Sequence, residues 1–323
     1  MLAFHSDLHA PTLPPGHRFP MSKYQLLRAA VQAQLPDVRL LPAPAASEGE
    51  LALAHDPAWI AAVLSGTTTP AQQREIGFPW SQRMADRARH SVGATIAAAR
   101  SALLGGEGLA ANLGGGTHHA YAHKGSGYCV FNDVAVAARL MQAEWHRHRR
   151  ALLRVFVIDL DVHQGNGTAA IFRDDPTVYT LSLHGARNFP VRKEAGARDV
   201  DLHDGCGDAE YLAALERALA AAWADQHGAA PGLAFYLAGA DPHEDDRLGR
   251  LKLTRAGLAE RDRRVLAALA ERRIPVALTM AGGYGRVIET TVEIQRRTIE
   301  IALAAWRDWA AMQNRPHSNQ DRP

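Results

Sequence analysis

The chain has 323 residues, of which 47% are apolar and 22% charged, a composition typical of a soluble globular protein rather than a disordered or fibrous one. Thirty-six Lys and Arg against 34 Asp and Glu give a net charge of +2, which argues against a nucleic-acid-binding protein. Neither a membrane span nor a signal peptide is evident, and only Cys129 and Cys206 are present, so we expect a cytoplasmic protein without a disulfide framework.

Six helices are predicted along the chain from their helix-forming composition, and several begin with a capping Ser, Asp, Asn or Thr. They span Ser22–Leu35, Ser81–Leu104, Asn132–Arg149, Asp208–Gln226, Thr254–Arg272 and Arg286–Ala311. Five near-continuously apolar runs between them predict strands that are buried on both faces. These runs are Leu109–Leu113, Leu153–Ile158, Val178–Leu181, Leu233–Leu237 and Pro275–Met280.

The alternation of strands and helices in the second half predicts an α/β fold with a parallel sheet and right-handed crossovers. No internal repeat and no Gly/Ser-rich linker divides the chain, so we expect one domain over residues 1–312. The polar segment 313–323 is expected to be a flexible tail.

Polar segments, several of them rich in glycine, follow all five predicted strands. They are Gly114–His119, Asp159–His163, Ser182–His184, Gly239–Asp241 and Gly282–Tyr284. Because the ligands of open α/β sheets bind beyond the carboxyl ends of the strands, these segments predict a functional site at one edge of the sheet. A polar loop explains any one of them, but it explains five poorly.

A metal site is predicted from the alternation of side chains along an extended segment, which places Asp159, Asp161 and His163 on one face. Asp161 and His163 can then bind one ion, and Asp241 at a neighbouring strand end can complete the ligand set. Two carboxylates and one imidazole leave an open position on a tetrahedral Zn²⁺, as in catalytic sites. A two-metal site needs a further carboxylate two positions after the His, where this chain has Gly165, so one ion is expected.

The adjacent His118 and His119 can act as general base and general acid, because the pKa of imidazole lies near neutral pH. An imidazole held by Asp159 gains basicity, whereas one held by the neutral Asn166 is easier to deprotonate. Tyr284 follows two glycines, and its phenol can donate a hydrogen bond to a developing oxyanion. These groups together indicate metal-assisted attack of water on an amide carbonyl.

Several motifs resemble those of the zinc-dependent histone deacetylase family, over nearly the whole chain from His17 to Tyr284. They are Gly115–Ala120, Gly127–Asp133, Asp159–Gly167, Asp246–Gly249 and Gly282–Tyr284. Gln164 and Asn166, together with segments 74–80 and 246–249, are most similar to the class IV branch and its bacterial relatives. The resemblance implies a three-layer α/β/α fold around a mostly parallel, eight-stranded sheet.

The resemblance also implies a role for individual residues. It assigns Asp161, His163 and Asp241 as zinc ligands, His118 and His119 as the catalytic pair, Tyr284 as the oxyanion donor, and Asp159 as the partner of the first His. It assigns Asp159, Ser182 and Leu183 to a structural potassium site, and Gly127, Tyr128 and Phe189 to the walls of an acyl-lysine tunnel. Three departures stand out: Asn166 replaces a common Asp, Gln164 replaces a common His, and no acid that would hold the substrate backbone is evident around residues 78–80.

The expected function is therefore a deacetylase or deacylase that uses one Zn²⁺ to remove acetyl or longer fatty-acyl groups. Its expected partners are acylated lysines of proteins or acylated amines, and not nucleic acid. An acetylpolyamine or another small amide is the alternative substrate. A non-catalytic acyl-lysine binding module and a dinuclear ureohydrolase are further alternatives; the intact catalytic set disfavours the first and Gly165 the second. The sequence does not predict the oligomeric state.

Overall fold

Eight strands form one sheet in the computed structural model of the chain, which describes residues 1–226 and 228–313. The strands are β1 (Leu2–His5), β2 (Arg39–Pro42), β3 (Leu109–Asn112), β4 (Val155–Asp159), β5 (Val178–Gly185), β6 (Arg198–Leu202), β7 (Leu233–Leu237) and β8 (Val276–Thr279). Their order across the sheet is β2-β1-β3-β8-β7-β4-β5-β6, and all neighbouring pairs are parallel. The predicted α/β fold and the expected eight strands are confirmed.

Ten α-helices accompany the sheet in the described part of the chain. They are α1 (Lys23–Gln34), α2 (Glu48–Leu51), α3 (Pro57–Ser65), α4 (Pro70–Ile76), α5 (Gln82–Leu103), α6 (Asp133–Arg149), α7 (Asn166–Phe172), α8 (Asp208–Asp225), α9 (Arg255–Glu271) and α10 (Ile288–Gln313). The six predicted helices correspond to α1, α5, α6, α8, α9 and α10. None of the described helices is both long and apolar enough to span a membrane. The tail predicted over 313–323 begins with the last residue of α10, and the rest of it lies outside the described residues.

Alternate residues of the central strands pack into two separate apolar layers, as the twofold periodicity of a strand requires. In β4, Phe156 and Ile158 belong to the layer formed with α1, α8, α9 and α10, whereas Val155 and Val157 belong to the layer formed with α3, α5 and α6. All five residues of β4 are buried. Helices therefore cover both faces of the sheet in an α/β/α arrangement, which explains why the central strands are apolar throughout.

Three strands were not predicted, and all three lie toward the edges of the sheet. The outermost strands β2 and β6 each contain exposed or half-exposed residues, and in β6 the charged Asp199 and Asp201 alternate with the apolar Val200 and Leu202. The strand β1 has only four residues at the start of the chain. Such strands lack the continuous apolar run that identifies buried strands.

Candidate active site

The five polar segments singled out in the sequence all follow or end strands that are neighbours in the sheet. These strands are β3, β8, β7, β4 and β5, in that order. Since they are parallel, their carboxyl ends meet at one edge, where the segments containing His118, Asp161, Asp241 and Tyr284 lie side by side. The topology therefore brings together residues that are up to 166 positions apart in the sequence.

Asp161, His163 and Asp241 form a buried cluster in which one ligand atom from each residue lies within 4.8 Å of the others. The His163 Nδ1 atom is 2.9 Å from Asp161 Oδ1 and 3.4 Å from Asp241 Oδ2. The backbone fixes the remaining carboxylate oxygens: Gly282 N donates to Asp161 Oδ2 at 2.7 Å, and Val162 N donates to Asp241 Oδ1 at 2.9 Å. Each carboxylate thus keeps one oxygen directed toward His163.

The surroundings of this cluster fit a cation. Among the described residues no group forms a hydrogen bond with the buried Asp241 Oδ2 atom. Burial raises the pKa of Asp241, and the neighbouring Asp161 carboxylate raises it further; the pKa reaches about 7 even though His163 opposes the shift. A cation between the two carboxylates would remove both the repulsion and the unmet hydrogen-bonding demand, and two oxygens with one imidazole nitrogen are donors that Zn²⁺ accepts.

His118 and His119 face each other through their Nε2 atoms, which are 3.2 Å apart. Each ring is held by its Nδ1 atom: that of His118 donates to Asp159 Oδ2 at 2.7 Å, and that of His119 donates to the Asn166 side-chain oxygen at 2.7 Å. The Asn166 amide in turn donates to the Tyr121 hydroxyl at 2.8 Å. The two imidazoles therefore have fixed orientations and chemically different partners.

The surroundings of the two rings shift their pKa values in opposite directions. Burial lowers the pKa of His118, but the Asp159 and Asp161 carboxylates outweigh it and raise the pKa to about 9. Burial lowers the pKa of His119 well below its usual value, and the charges of His118 and His163 lower it further. The separation has the direction expected for an Asp partner on one ring and an Asn partner on the other.

Tyr284 lies beside the cluster, with its ring centroid 6.4 Å from that of His163. Its backbone nitrogen donates to Asp246 Oδ2 at 2.6 Å, which anchors the turn after Gly283. Burial raises the pKa of the Tyr284 phenol well above 10, and Asp161 and Asp241 raise it further. The phenol consequently stays protonated at neutral pH and can donate a hydrogen bond.

A narrow cavity of about 40 Å³ adjoins these groups. Its lining includes Phe19, His118, His119, Gly127, Tyr128, Asp161, His163 and Tyr284. Phe189 stands next to this lining, with its ring at 89° to that of His119 and the centroids 4.8 Å apart. Gly127 fits between them because a side chain there would approach His119 to 2.6 Å and Phe189 to 3.0 Å. Of the three residues expected to form tunnel walls, Gly127 and Phe189 thus lie against His119, and Tyr128 lines the same cavity.

The residues expected to bind potassium also lie together. Asp159 and Ser182 are register partners across β4 and β5, and Leu183 follows Ser182. The Ser182 hydroxyl is 2.9 Å from His184 Nδ1, and Asp159 Oδ1 accepts from Asp161 N at 3.2 Å.

Two supporting carboxylates were not assigned a role from the sequence, although both lie in quoted motifs. Asp133 accepts hydrogen bonds from the backbone nitrogens of Gly116 and Thr117, at 3.0 and 2.8 Å, and so fixes the loop that carries the histidine pair. Asp246 fixes the turn that carries Tyr284. No local pattern identifies either role, because the backbone nitrogens of Gly116, Thr117 and Tyr284 lie at least 16 positions away from these acids in the sequence.

Comparison with known proteins gives one consistent family. Residues 17–297 match the model of the histone deacetylase domain. The chain is 41% identical over 303 residues to an uncharacterized protein of Picosynechococcus sp., covering 90% of this chain and 94% of that one. It is 35% identical over 212 residues to Histone deacetylase 2 of Arabidopsis thaliana, covering 64% of this chain and 52% of the plant protein.

A further relative and a solved structure agree. Acetoin utilization protein AcuC of Bacillus subtilis is 40% identical over 147 residues, which cover 43% of this chain and 36% of AcuC. The crystal structure of the HDA15 HD domain matches with a TM-score of 0.76 over 97% of this chain and 95% of that one, and its 21% sequence identity supports likeness of fold alone. The match to the family model covers most of the chain and includes every residue of the site described above. The chain therefore belongs to the histone deacetylase family.

Proposed function

We propose that this chain is a zinc-dependent amidohydrolase that removes acyl groups from lysine side chains or from acylated amines. The observation that carries the proposal is the buried Asp161, His163 and Asp241 cluster, next to two opposed imidazoles and a protonated phenol in one narrow cavity. Membership of the histone deacetylase family supports hydrolysis of an acyl amide.

Zinc fits the donor set, and we propose Asp161, His163 and Asp241 as its ligands. The buried oxygen of Asp241 without a hydrogen-bond partner among the described residues is the local observation that favours a cation here. When bound, Zn²⁺ supplies Lewis-acid polarisation of the acyl carbonyl group and of the attacking water.

The two histidines are proposed to have different roles in proton transfer. Because both Nδ1 atoms donate to their partners, the Nε2 atoms are the ones left for proton transfer. His119 is the easier of the two to keep neutral, so its Nε2 accepts the proton of the attacking water. His118, held by Asp159, supplies the positive charge beside it, and a proton on the pair passes to the leaving amine nitrogen as the C–N bond breaks.

Tyr284 donates its phenolic proton in a hydrogen bond to the carbonyl oxygen as that oxygen gains negative charge. The donor is useful because it is held in a dry site and needs no reorganisation during the reaction. Gly127, Tyr128 and Phe189 are proposed to guide an extended acylated side chain to this point; the contacts of Gly127 and Phe189 with His119, and the position of Tyr128 in the cavity lining, support this proposal.

We also propose a structural K⁺ at Asp159, Ser182 and Leu183, which the register of β4 and β5 places next to each other. A bound K⁺ would lie beside the segment that carries Asp161 and His163. The class IV assignment stays a prediction that rests on Gln164 and Asn166 and on the motifs around them.

The test is a panel of lysine amides from acetyl to myristoyl, with an acetylpolyamine added, incubated with zinc-loaded wild-type protein. We expect release of the carboxylic acid from at least one acyl-lysine, loss of activity with a chelator, and loss in Asp161→Ala. Asp174→Ala, which removes an exposed carboxylate remote from the cluster, is the matched control and keeps full activity. Zinc binding without hydrolysis of any amide would favour a binding module, and activity that survives both the chelator and Asp161→Ala would contradict the metal mechanism.

A further inference from the structure

Arg261 of α9 has a guanidinium group that is completely buried beneath the site. Its Nη1 atom donates to the backbone oxygen of Gly239 at 2.6 Å and to that of Leu160 at 3.2 Å. A single side-chain nitrogen therefore joins two loops that are 79 residues apart in the sequence.

The two carbonyl groups belong to the segments that carry the proposed carboxylate ligands. Leu160 directly precedes Asp161 at the end of β4, and Gly239 lies two residues before Asp241 after the neighbouring strand β7. The two segments are packed in direct contact, because a side chain at Gly239 would approach the Asp161 Cα atom to 2.8 Å. The position of Arg261 thus bears directly on the separation of Asp161 and Asp241.

The guanidinium group is itself fixed from the other side. Its Nε and Nη2 atoms lie 2.9 and 2.8 Å from Asp262 Oδ1. The hydroxyl groups of Tyr236 and Thr298 donate to Asp262, at 2.5 and 2.6 Å. A buried ion pair often contributes no more to the stability of a protein than well-packed apolar residues of similar volume. Stability alone therefore does not explain the pair formed by Arg261 and Asp262.

We propose that Arg261 is a positioning residue, which sets the distance and orientation of Asp161 and Asp241 for the metal through the backbone segments that carry them. This inference rests on the metal site proposed above. The planar fork of arginine can contact two carbonyl groups and a carboxylate at once, whereas the single ammonium group of lysine cannot reproduce that set of directions. Arg261 is not among the residues that line the cavity, so Arg261 acts through the ligands and not on the substrate.

The test measures metal binding by folded apo-protein, not activity. Arg261→Gln and Arg261→Lys are compared with wild type by competition for Zn²⁺ with a chromogenic chelator and by the visible absorption spectrum of the Co²⁺ form. We expect Arg261→Gln to weaken Zn²⁺ binding by about 10- to 100-fold, the range found when the supports of metal ligands are removed, and to change the Co²⁺ bands. Arg261→Lys keeps the charge and should lose less; it also serves if Arg261→Gln does not fold.

Leu269→Val is the matched control, because it removes buried apolar volume from the same helix two turns away and leaves every hydrogen bond of Arg261 and Asp262 in place. It should lower stability while leaving the Zn²⁺ affinity within twofold of wild type and the Co²⁺ spectrum unchanged. An Arg261 variant that folds, binds Zn²⁺ as wild type does and keeps the Co²⁺ spectrum would overturn the positioning role alone. Wild-type protein that fails to bind one equivalent of metal would overturn the proposed zinc site and the positioning role with it.

Discussion

Replacing Gly116 by alanine should lower both stability and activity. The part of the loss that comes from a steric clash can be measured separately from the part that comes from the backbone conformation of residue 116. Gly116 has φ = +71° and lies two residues before His118. A Cβ atom there would be 2.6 Å from the Cβ and 2.7 Å from the Cα of Ala281. Because one of these atoms is backbone, one of the two loops must move.

The expected loss has two parts. A non-glycine residue in the left-handed region costs about 1–2 kcal/mol, and forcing extra volume into a packed site costs about 1–3 kcal/mol more. Gly106 has nearly the same φ, +76°, but no atom lies within 4 Å of the place that a Cβ atom would take there. Gly106→Ala therefore measures the backbone cost alone, and the difference between the two variants in the free energy of unfolding by urea is expected to be about 1–3 kcal/mol.

The same displacement should also slow the reaction, because each of the two loops carries or holds groups of the site. Gly116 leads to the histidine pair, and Ala281 precedes Gly282, whose backbone nitrogen donates to Asp161. A shift of about 1 Å in reacting groups can cost on the order of 100-fold in rate, so kcat/KM on the best acyl-lysine substrate should fall by about that factor in Gly116→Ala. Gly106→Ala should retain it. Equal unfolding free energies for the two variants, or a kcat/KM for Gly116→Ala within threefold of wild type, would refute the reasoning.

Three further predictions concern the chemistry of the site. In Asn166→Asp, the new carboxylate beside His119 should stabilise its imidazolium form and raise its low pKa. Since neutral His119 is the proposed base, the acidic limb of the pH profile of kcat/KM should then move to higher pH. An acidic limb at the same pH as in wild type would count against this role. Tyr284→Phe removes the phenolic hydrogen-bond donor, so the single-turnover rate of hydrolysis should fall by about 10²–10³-fold. The Zn²⁺ affinity should stay within twofold of wild type. An unchanged rate would rule out Tyr284 as the oxyanion donor. Removal of metal with dipicolinate should abolish hydrolysis and added Zn²⁺ should restore it, but not in Asp241→Ala, and restoration in that variant would remove Asp241 from the ligand set.

The interior of the sheet was predictable because each central strand is covered on both faces and must be apolar throughout. The strand β4 shows this directly, since all its residues are buried. The edge strand β6 was not predictable by the same argument, because its Asp199 and Asp201 side chains alternate with apolar ones. Such a pattern identifies a strand only when the neighbouring strand is known, and that neighbour, β5, is fixed by the tertiary fold.

Most of the candidate site could be located from the sequence because its residues follow apolar runs that end at one edge of a parallel sheet. Arg261 could not be located in this way. It lies in the run Glu260-Arg261-Asp262-Arg263-Arg264, which by composition resembles the solvent-facing side of a helix. Arg263 and Arg264 do pair with Glu260 at the surface, but Arg261 and Asp262 are buried. Only the packing of α9 against the sheet shows which of these charged residues are buried and which are exposed.

The reactive groups of the site depend on a second set of residues that comes from other elements of the fold. Asp159 at the end of β4 holds one imidazole with a charged partner, whereas Asn166 at the start of α7 holds the other with a neutral one, so the surroundings of the two rings, and not the rings themselves, make them different. The backbone loops are held in the same manner, by Asp133 of α6 and by Arg261 of α9. Because none of these supports occupies the cavity, substitution at a support can change the pKa of a ring or the spacing of two ligands while the cavity walls stay as they are.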